Sequence, residues 1–303
     1  MGPRVALATA AFICGSMFCG ALAASDDKLG PFRLWASHAQ VTPSSKDEWP
    51  TTGGDPSDIL VFEEMRVPRW LAEAVVRAAQ ATGVDPAYMM ALADKESSLL
   101  PDNKARTSSA EGLFQFVEGT WLEVLRRFGP QHGFGAEAEA IRLVGGRPAV
   151  ADARERERIL GLRRDPYLSA LMAGEMIRTH RETLAGKVAR DPSFAELYMA
   201  HFLGVQGASR FVALLSAEPG KSARTAFPRA AKANRPLFFA AQPAARPKGK
   251  VAAKATGKAA ALSVAEVRGR IDAMIDKRVA RYASVRDKIA ADERTTANEY
   301  PVP

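Results

Sequence analysis

Glu96 is the residue on which chemistry would turn. It follows Leu92 and Ala93 by about one helical turn, at the end of an apolar run with helical spacing. A carboxyl held against apolar neighbours loses hydration, which disfavours its charged form and raises its pKa. A general acid working near neutral pH needs that shift. A glutamate alone in a helix ordinarily belongs to the solvated face, so Glu96 by itself would be weak evidence. The stretch after it changes the balance. Ser97, Pro101 and Thr107-Ser108-Ser109 lead to Gly112-Leu113-Phe114-Gln115, a small polar loop held beside the acid.

Other candidate chemistry is thin. His38, His132, His180 and His201 lack metal-ligand spacing, so no metal is expected, and His201 is expected to be packed or exposed rather than to face a cleft beside Tyr198. Glu155 and Glu157, inside Arg154-Glu155-Arg156-Glu157-Arg158, read as a solvated helix face. No glycine-rich phosphate loop follows a strand pattern, and the basic tract lacks interleaved aromatics. Nucleotide and nucleic-acid binding are therefore not expected, and no cofactor is implied.

The elements that must position Glu96 are helical. Trp70, Leu71, Ala74, Val75 and Ala78 share one face of a segment that opens after Pro68 and closes at Gly83. Asp85-Pro86 has the form of an N-cap followed by a first-turn proline, with Tyr88, Met89 and Leu92 on the next apolar face. Asp165-Pro166 and Asp191-Pro192 repeat that signal, ahead of helices around 168–179 and 194–203. Further helices are expected over 136–144, 149–162 (the two divided by Gly145-Gly146) and 207–215. Strand patterns are scarce, so the fold class is mainly α. The expected organisation is an irregular lead-in at 24–60 and a catalytic domain at 61–240. A basic Ala/Lys/Pro linker at 241–261, an amphipathic helix at 262–292 and a disordered tail at 293–303 complete it.

Residues 1–23 read as a signal peptide: Arg4, an apolar run from Val5, then Ala21-Leu22-Ala23 ahead of Ser25-Asp26-Asp27. Both cysteines, Cys14 and Cys19, lie within it, so the mature chain would be exported without disulfides, as suits a bacterial periplasm. No later stretch is long and apolar enough to span a bilayer. The formal charge is +8, but residues 221–260 hold ten Lys and Arg and no acid, so the basicity is local. It would serve as a solvated spacer or as a contact with an anionic partner. At 263, Ser263 and Glu266 form a capping box, and Val264, Val267, Ile271, Ile275, Tyr282, Val285 and Ile289 recur at helical spacing. Such a stripe must fold back, self-associate or bind a partner. A protein partner docking on Val267, Ile271, Ile275 and Tyr282 is the expectation adopted.

Glu96-Ser97, Pro101 and Ala110-Glu111-Gly112-Leu113-Phe114-Gln115, with Thr120-Trp121 and Leu197-Tyr198-Met199-Ala200 further on, resemble the soluble lytic transglycosylase (SLT) domain. The resemblance covers roughly residues 68–240 and implies a lysozyme-like helical fold. It also implies cleavage of the β-1,4 bond between N-acetylmuramic acid and N-acetylglucosamine in peptidoglycan, with 1,6-anhydro ends. By that resemblance Glu96 is acid and then base. Ser97, Ser108, Ser109, Phe114 and Gln115 contact the glycan, and Tyr198 orients the glutamate. The chain departs from the family at Phe114 (usually Met), Met199 (usually Asn) and His201 (usually Gly), and its loop before Gly112 is one residue longer. Divergent branches of the family assist flagellar or secretion-apparatus assembly, a role the resemblance extends to this chain. Two alternatives remain open at this point: a hydrolytic muramidase with Glu111 as second carboxylate, and a non-catalytic wall-binding assembly factor.

Overall fold

The computed structural model describes residues 55, 57–240 and 259–291. The expected signal peptide and tail, and most of the lead-in and basic linker, lie outside them. Among the described residues the chain is mainly helical, with two short hairpins. No described helix is long and apolar enough to cross a membrane.

The first hairpin pairs β1 (Ile59–Phe62) with β2 (Met65–Pro68), at the end of what reads as irregular lead-in. Leu60 and Phe62 turn inward while Val61 stays exposed, an alternation too short to stand out in sequence. Next come α1 (Arg69–Thr82) and α2 (Pro86–Ser97), with the boundaries their caps predict. Asp85 accepts from the Tyr88 amide at 2.9 Å, satisfying one free donor of the first turn. Residues Tyr88 to Ala93 are fully buried, so α2 is apolar on all sides and lies inside the molecule.

Beyond α3 (Glu118–Phe128), α4 (Gly135–Ala140) is short. The expected helix over 136–144 instead gives way to β3 (Arg142–Val144), which pairs with β4 (Arg147–Ala149). Gly145 and Gly146 both have positive φ, 57° and 76°, the two-residue turn that fits strand twist. They join a hairpin rather than divide two helices. α5 (Ala153–Gly161) and α6 (Pro166–Val188) follow, the latter capped by Asp165.

α7 (Phe194–Ala217) merges two expected helices across a break at Gly204, where φ is 71° and ψ 160°. Its cap is a Ser193–Glu196 box, not Asp191-Pro192; Asp191 pairs with Arg181 instead. Three short helices, α8 (Ala223–Ala226), α9 (Pro228–Ala233) and α10 (Arg235–Phe238), lead to the last, α11 (Val264–Tyr282). α1 packs on α6, α6 on α7, and α11 lies against both α2 and α7.

That placement corrects the docking expectation for α11. Val264, Val267, Ile271, Ile275, Tyr282 and Val285 are at most 1% exposed, so the stripe is covered by this chain itself. Ion pairs fasten the helix along its length. Arg268 reaches Glu196 at 3.2 Å. Arg281 holds Asp94 of α2 at 3.0 Å and Glu63 of the hairpin at 3.0 Å. An apolar stripe seeks the nearest apolar surface, and α2 with α7 supplies it.

Candidate active site

Glu96 occupies the last turn of α2, with its side chain 3% exposed. Burial pushes its carboxyl above the usual carboxylate range, and Lys95 and Arg278 only partly oppose this. Desolvation by apolar packing thus dominates, as the positions of Leu92 and Ala93 lead one to expect. The carboxyl keeps its proton more readily than a surface glutamate, which is the state a proton donor needs. Oε1 is buried and has no hydrogen-bond partner among the described residues.

The chain leaves α2 through two successive left-handed residues, Ser98 (φ 56°) and Leu99 (φ 59°). Such conformations cost about 1–3 kcal/mol for a non-glycine residue and persist where the surroundings impose them. Ser97 is one source of that imposition. Its hydroxyl donates to Leu113 O at 2.8 Å and to Ala93 O at 3.1 Å, and accepts from the Leu100 amide at 3.2 Å. Ser97 was expected at the glycan; it is 3% exposed and ties the loop to the helix instead.

The loop is closed from inside by an arginine far along the chain. Arg163 donates to Ser109 O at 2.6 Å, to Phe116 O at 3.1 Å and to Glu111 Oε2 at 2.8 Å. Arg164 takes the other Glu111 oxygen at 3.0 Å. Gly112 is required where the loop meets this arginine: with φ at 85°, an added Cβ would sit 2.0 Å from Arg163 O. Gln115, also at positive φ (50°), donates its side-chain amide to Asn103 O and Gly112 O, each at 2.9 Å. Phe114 is 2% exposed and anchors the loop in the core. Ser108 accepts from the Ala110 amide and Ser109 from the Glu118 amide, both at 3.2 Å. Ser109 and Thr107 are exposed at the loop surface.

Opposite Glu96 stands α7. Tyr198 is fully buried, and its phenol is raised well above its ordinary pKa by burial and by the Glu96 charge. Its ring lies 5.9 Å from Lys95 Nζ. His201, one turn on, places Nε2 3.8 Å from Glu96 Oε1. Sequence reasoning set a cleft-facing His201 near Tyr198 against a packed or exposed one and preferred the latter. The available signal was that its residue type departs from the resembled family just where α7 faces the acid. Glu96, Tyr198 and His201 therefore share one locus. Ser108 and Ser109 belong to the outer part of the loop, whereas Ser97, Phe114 and Gln115 build its inner frame. No group of three or more His, Cys, Asp and Glu that could hold a metal gathers among the described residues. No family model matches this chain.

Glu111 is the second carboxylate weighed from sequence. It is 5% exposed and held by two arginines, so it carries loop structure. Removing one partner of a buried ion pair costs about 3–5 kcal/mol because the other charge stays buried unpaired. Glu111→Ala is expected to lower the melting temperature by on the order of 10 °C in a domain of this size. Differential scanning calorimetry checks this. An unchanged melting temperature with lost activity would return Glu111 to the chemistry.

Proposed function

We propose that this protein is a peptidoglycan lytic transglycosylase. It cleaves the β-1,4 bond between N-acetylmuramic acid and N-acetylglucosamine and leaves 1,6-anhydro ends. The observation that carries the reading is the buried, proton-retaining Glu96 at the end of the central helix. Its loop has the Glu-Ser, Pro and Gly-Leu-x-Gln order of the SLT domain, with Phe114 where the family usually has Met, and a lysozyme-like helical architecture is part of the same proposal. Ordinary glycosidases use two carboxylates flanking the bond. Here the second candidate, Glu111, is neutralised by Arg163 and Arg164, which favours a mechanism needing one. Glu96 protonates the leaving glycosidic oxygen. As carboxylate it then takes the proton from the muramic acid's own C6 hydroxyl as that oxygen closes on C1. Tyr198 keeps the acid in place, and Ser108 and Ser109 face the glycan's acetamido and lactyl groups. A periplasmic site of action, proposed from the signal-peptide reading of residues 1–23, would let the protein open the wall locally during flagellar or envelope-apparatus assembly.

A second reading has a specific observation behind it. A side chain 3% exposed suits a wall-binding factor that keeps the fold without turnover. Mass spectrometry of sacculi digested by the full chain separates the readings. Anhydro ends, lighter by one water, are expected. Reducing ends alone would replace the proposal with hydrolysis, and an undigested wall would leave the binder.

A further inference from the structure

His201 meets Glu96 from α7. Its side chain is 13% exposed, and Nε2 lies 3.8 Å from Glu96 Oε1. The residue sits one turn after Tyr198 and just before the break at Gly204. A separation of 3.8 Å is too long for a hydrogen bond, yet a closure of about 1 Å would make one. Catalytic hydrogen bonds are often long in empty sites and tighten when substrate orders them. Glu96 Oε1 is buried with no hydrogen-bond partner among the described residues. Once the acid gives up its proton, that oxygen becomes half of a buried carboxylate, which is costly without a donor.

We propose that His201 is a positioning residue for Glu96 beside Tyr198: in the loaded site, and whenever Glu96 is ionised, its Nε2–H donates to Oε1, fixing the carboxyl so that Oε2 meets the glycosidic oxygen. This rests on the reading of Glu96 as the acid. The proton leaves Oε2 for the glycosidic oxygen as the bond from C1 to that oxygen breaks. The Oε2 lone pair later receives the proton of the attacking hydroxyl as the new C1–oxygen bond forms. His201 gains and loses no proton in the cycle. Its hydrogen bond strengthens when Glu96 is ionised, so it favours the reaction's charged stage over the resting acid.

Burial first, then Lys95, keeps the imidazole neutral, and four titratable groups face it from the elements packed around it. They are Glu96 and Lys95 on α2, Tyr198 on its own helix and His180 on α6, while Arg278 on α11 acts on Glu96 and Tyr198. Burial, then Lys95, push His201 down to about 4, and burial with His201 does the same to His180. As the pH falls through about 4, His201 gains a charge. An imidazolium beside Glu96 favours the carboxylate and withdraws the proton the acid must donate. Activity should therefore fall on the acid side.

The test uses the full chain and purified sacculi. His201→Leu is expected to lower kcat by about 10–100-fold at nearly constant KM, the scale of one hydrogen bond to a charged group. His201→Gln keeps a donor and should restore most of that rate while losing the acid limb near pH 4. His180→Gln should keep the limb. Full activity of His201→Leu, a loss that His201→Gln does not rescue, or an acid limb that survives in His201→Gln would overturn the proposal. A readout without turnover separates this from failure of the Glu96 reading. In carbon-13 NMR of the full chain, where ionisation of Glu96 draws the imidazole onto Oε1 without glycan, His201→Leu should raise the Glu96 carboxyl pKa, because a donor to the charged form is gone. An unmoved titration overturns the pairing whatever the enzyme does. A moved titration in a chain that cuts no glycan keeps the pairing and rejects only the transglycosylase reading.

Discussion

Glu96→Gln should abolish wall lysis while leaving the protein at least as stable as the parent. The amide keeps the shape of the acid and cannot donate the proton, so a loss of about 10²–10⁴-fold is expected, the usual contribution of general acid–base catalysis. Stability moves the other way. The carboxyl pKa is raised by burial above the ordinary 4.5. A group with a raised folded-state pKa contributes stability that is fully present below its unfolded pKa and is lost as pH rises through the folded one. The parent should therefore weaken as the pH climbs above about 4.5, while the Gln variant lacks that dependence. The melting-temperature difference between them should grow with pH in favour of the variant, a stability–activity trade-off at one side chain. Retained binding to sacculi is expected as well. Equal lysis by both proteins would show that the acid lies elsewhere, and a pH-independent difference in melting would show that Glu96 is not buried in solution.

Ending the chain near residue 245 is the second large effect. From the sequence, that deletion removes a tether and spares the chemistry. From the structure, it removes one wall of the core. Val264, Val267, Ile271, Ile275, Tyr282 and Val285 are each at most 1% exposed. Fully burying such side chains is worth about 1.5–3 kcal/mol apiece. Their sum is comparable to the ~5–15 kcal/mol that holds a typical domain together. The deletion also takes Arg281 from Asp94 and Arg268 from Glu196, leaving buried acids with weaker neutralisation. The truncated chain should lack a cooperative thermal transition and lose lysis with it. Ile271→Ala gives a graded version, with a cost of about 2–5 kcal/mol. A sharp transition at the parent temperature in the truncated chain would reinstate the tether, and a rise in its activity would make α11 a cover.

Local chemistry was the legible part of this fold. Asp85, Asp165 and Ser263 announce their helices because a cap is a contact between a side chain and an amide three residues away. Asp191-Pro192 misled because Ser193 and Glu196 lie just beyond it and make a better box. Residues 142–149 were misread because six strand residues around a glycine pair are too few to outweigh a helical count. Within the candidate site, the burial of Glu96 was legible, because its apolar neighbours precede it in the same helix. It was illegible where partners are distant in sequence. Arg163 meets Glu111 across 52 residues, and no spacing rule links them. The stripe on α11 demands a cover without naming one, so its true neighbours, α2 and α7, emerge only from packing.

The pairing of Arg281 with Asp94 spans 187 residues, and that with Glu63 spans 218. Contacts so remote in sequence are closed late, because the entropy of a long loop must be overcome first, and they slow folding. A chain emerging from the ribosome can form α1 to α7 in order, but α2 stays without one of its walls until residues 264–285 follow. During that interval Glu96 lies in an unfinished interior. Glu96 thus acquires its settled surroundings, Arg278 among them, only when the last helix docks, and a protein interrupted before that point carries Glu96 and its loop without the finished interior of the folded chain.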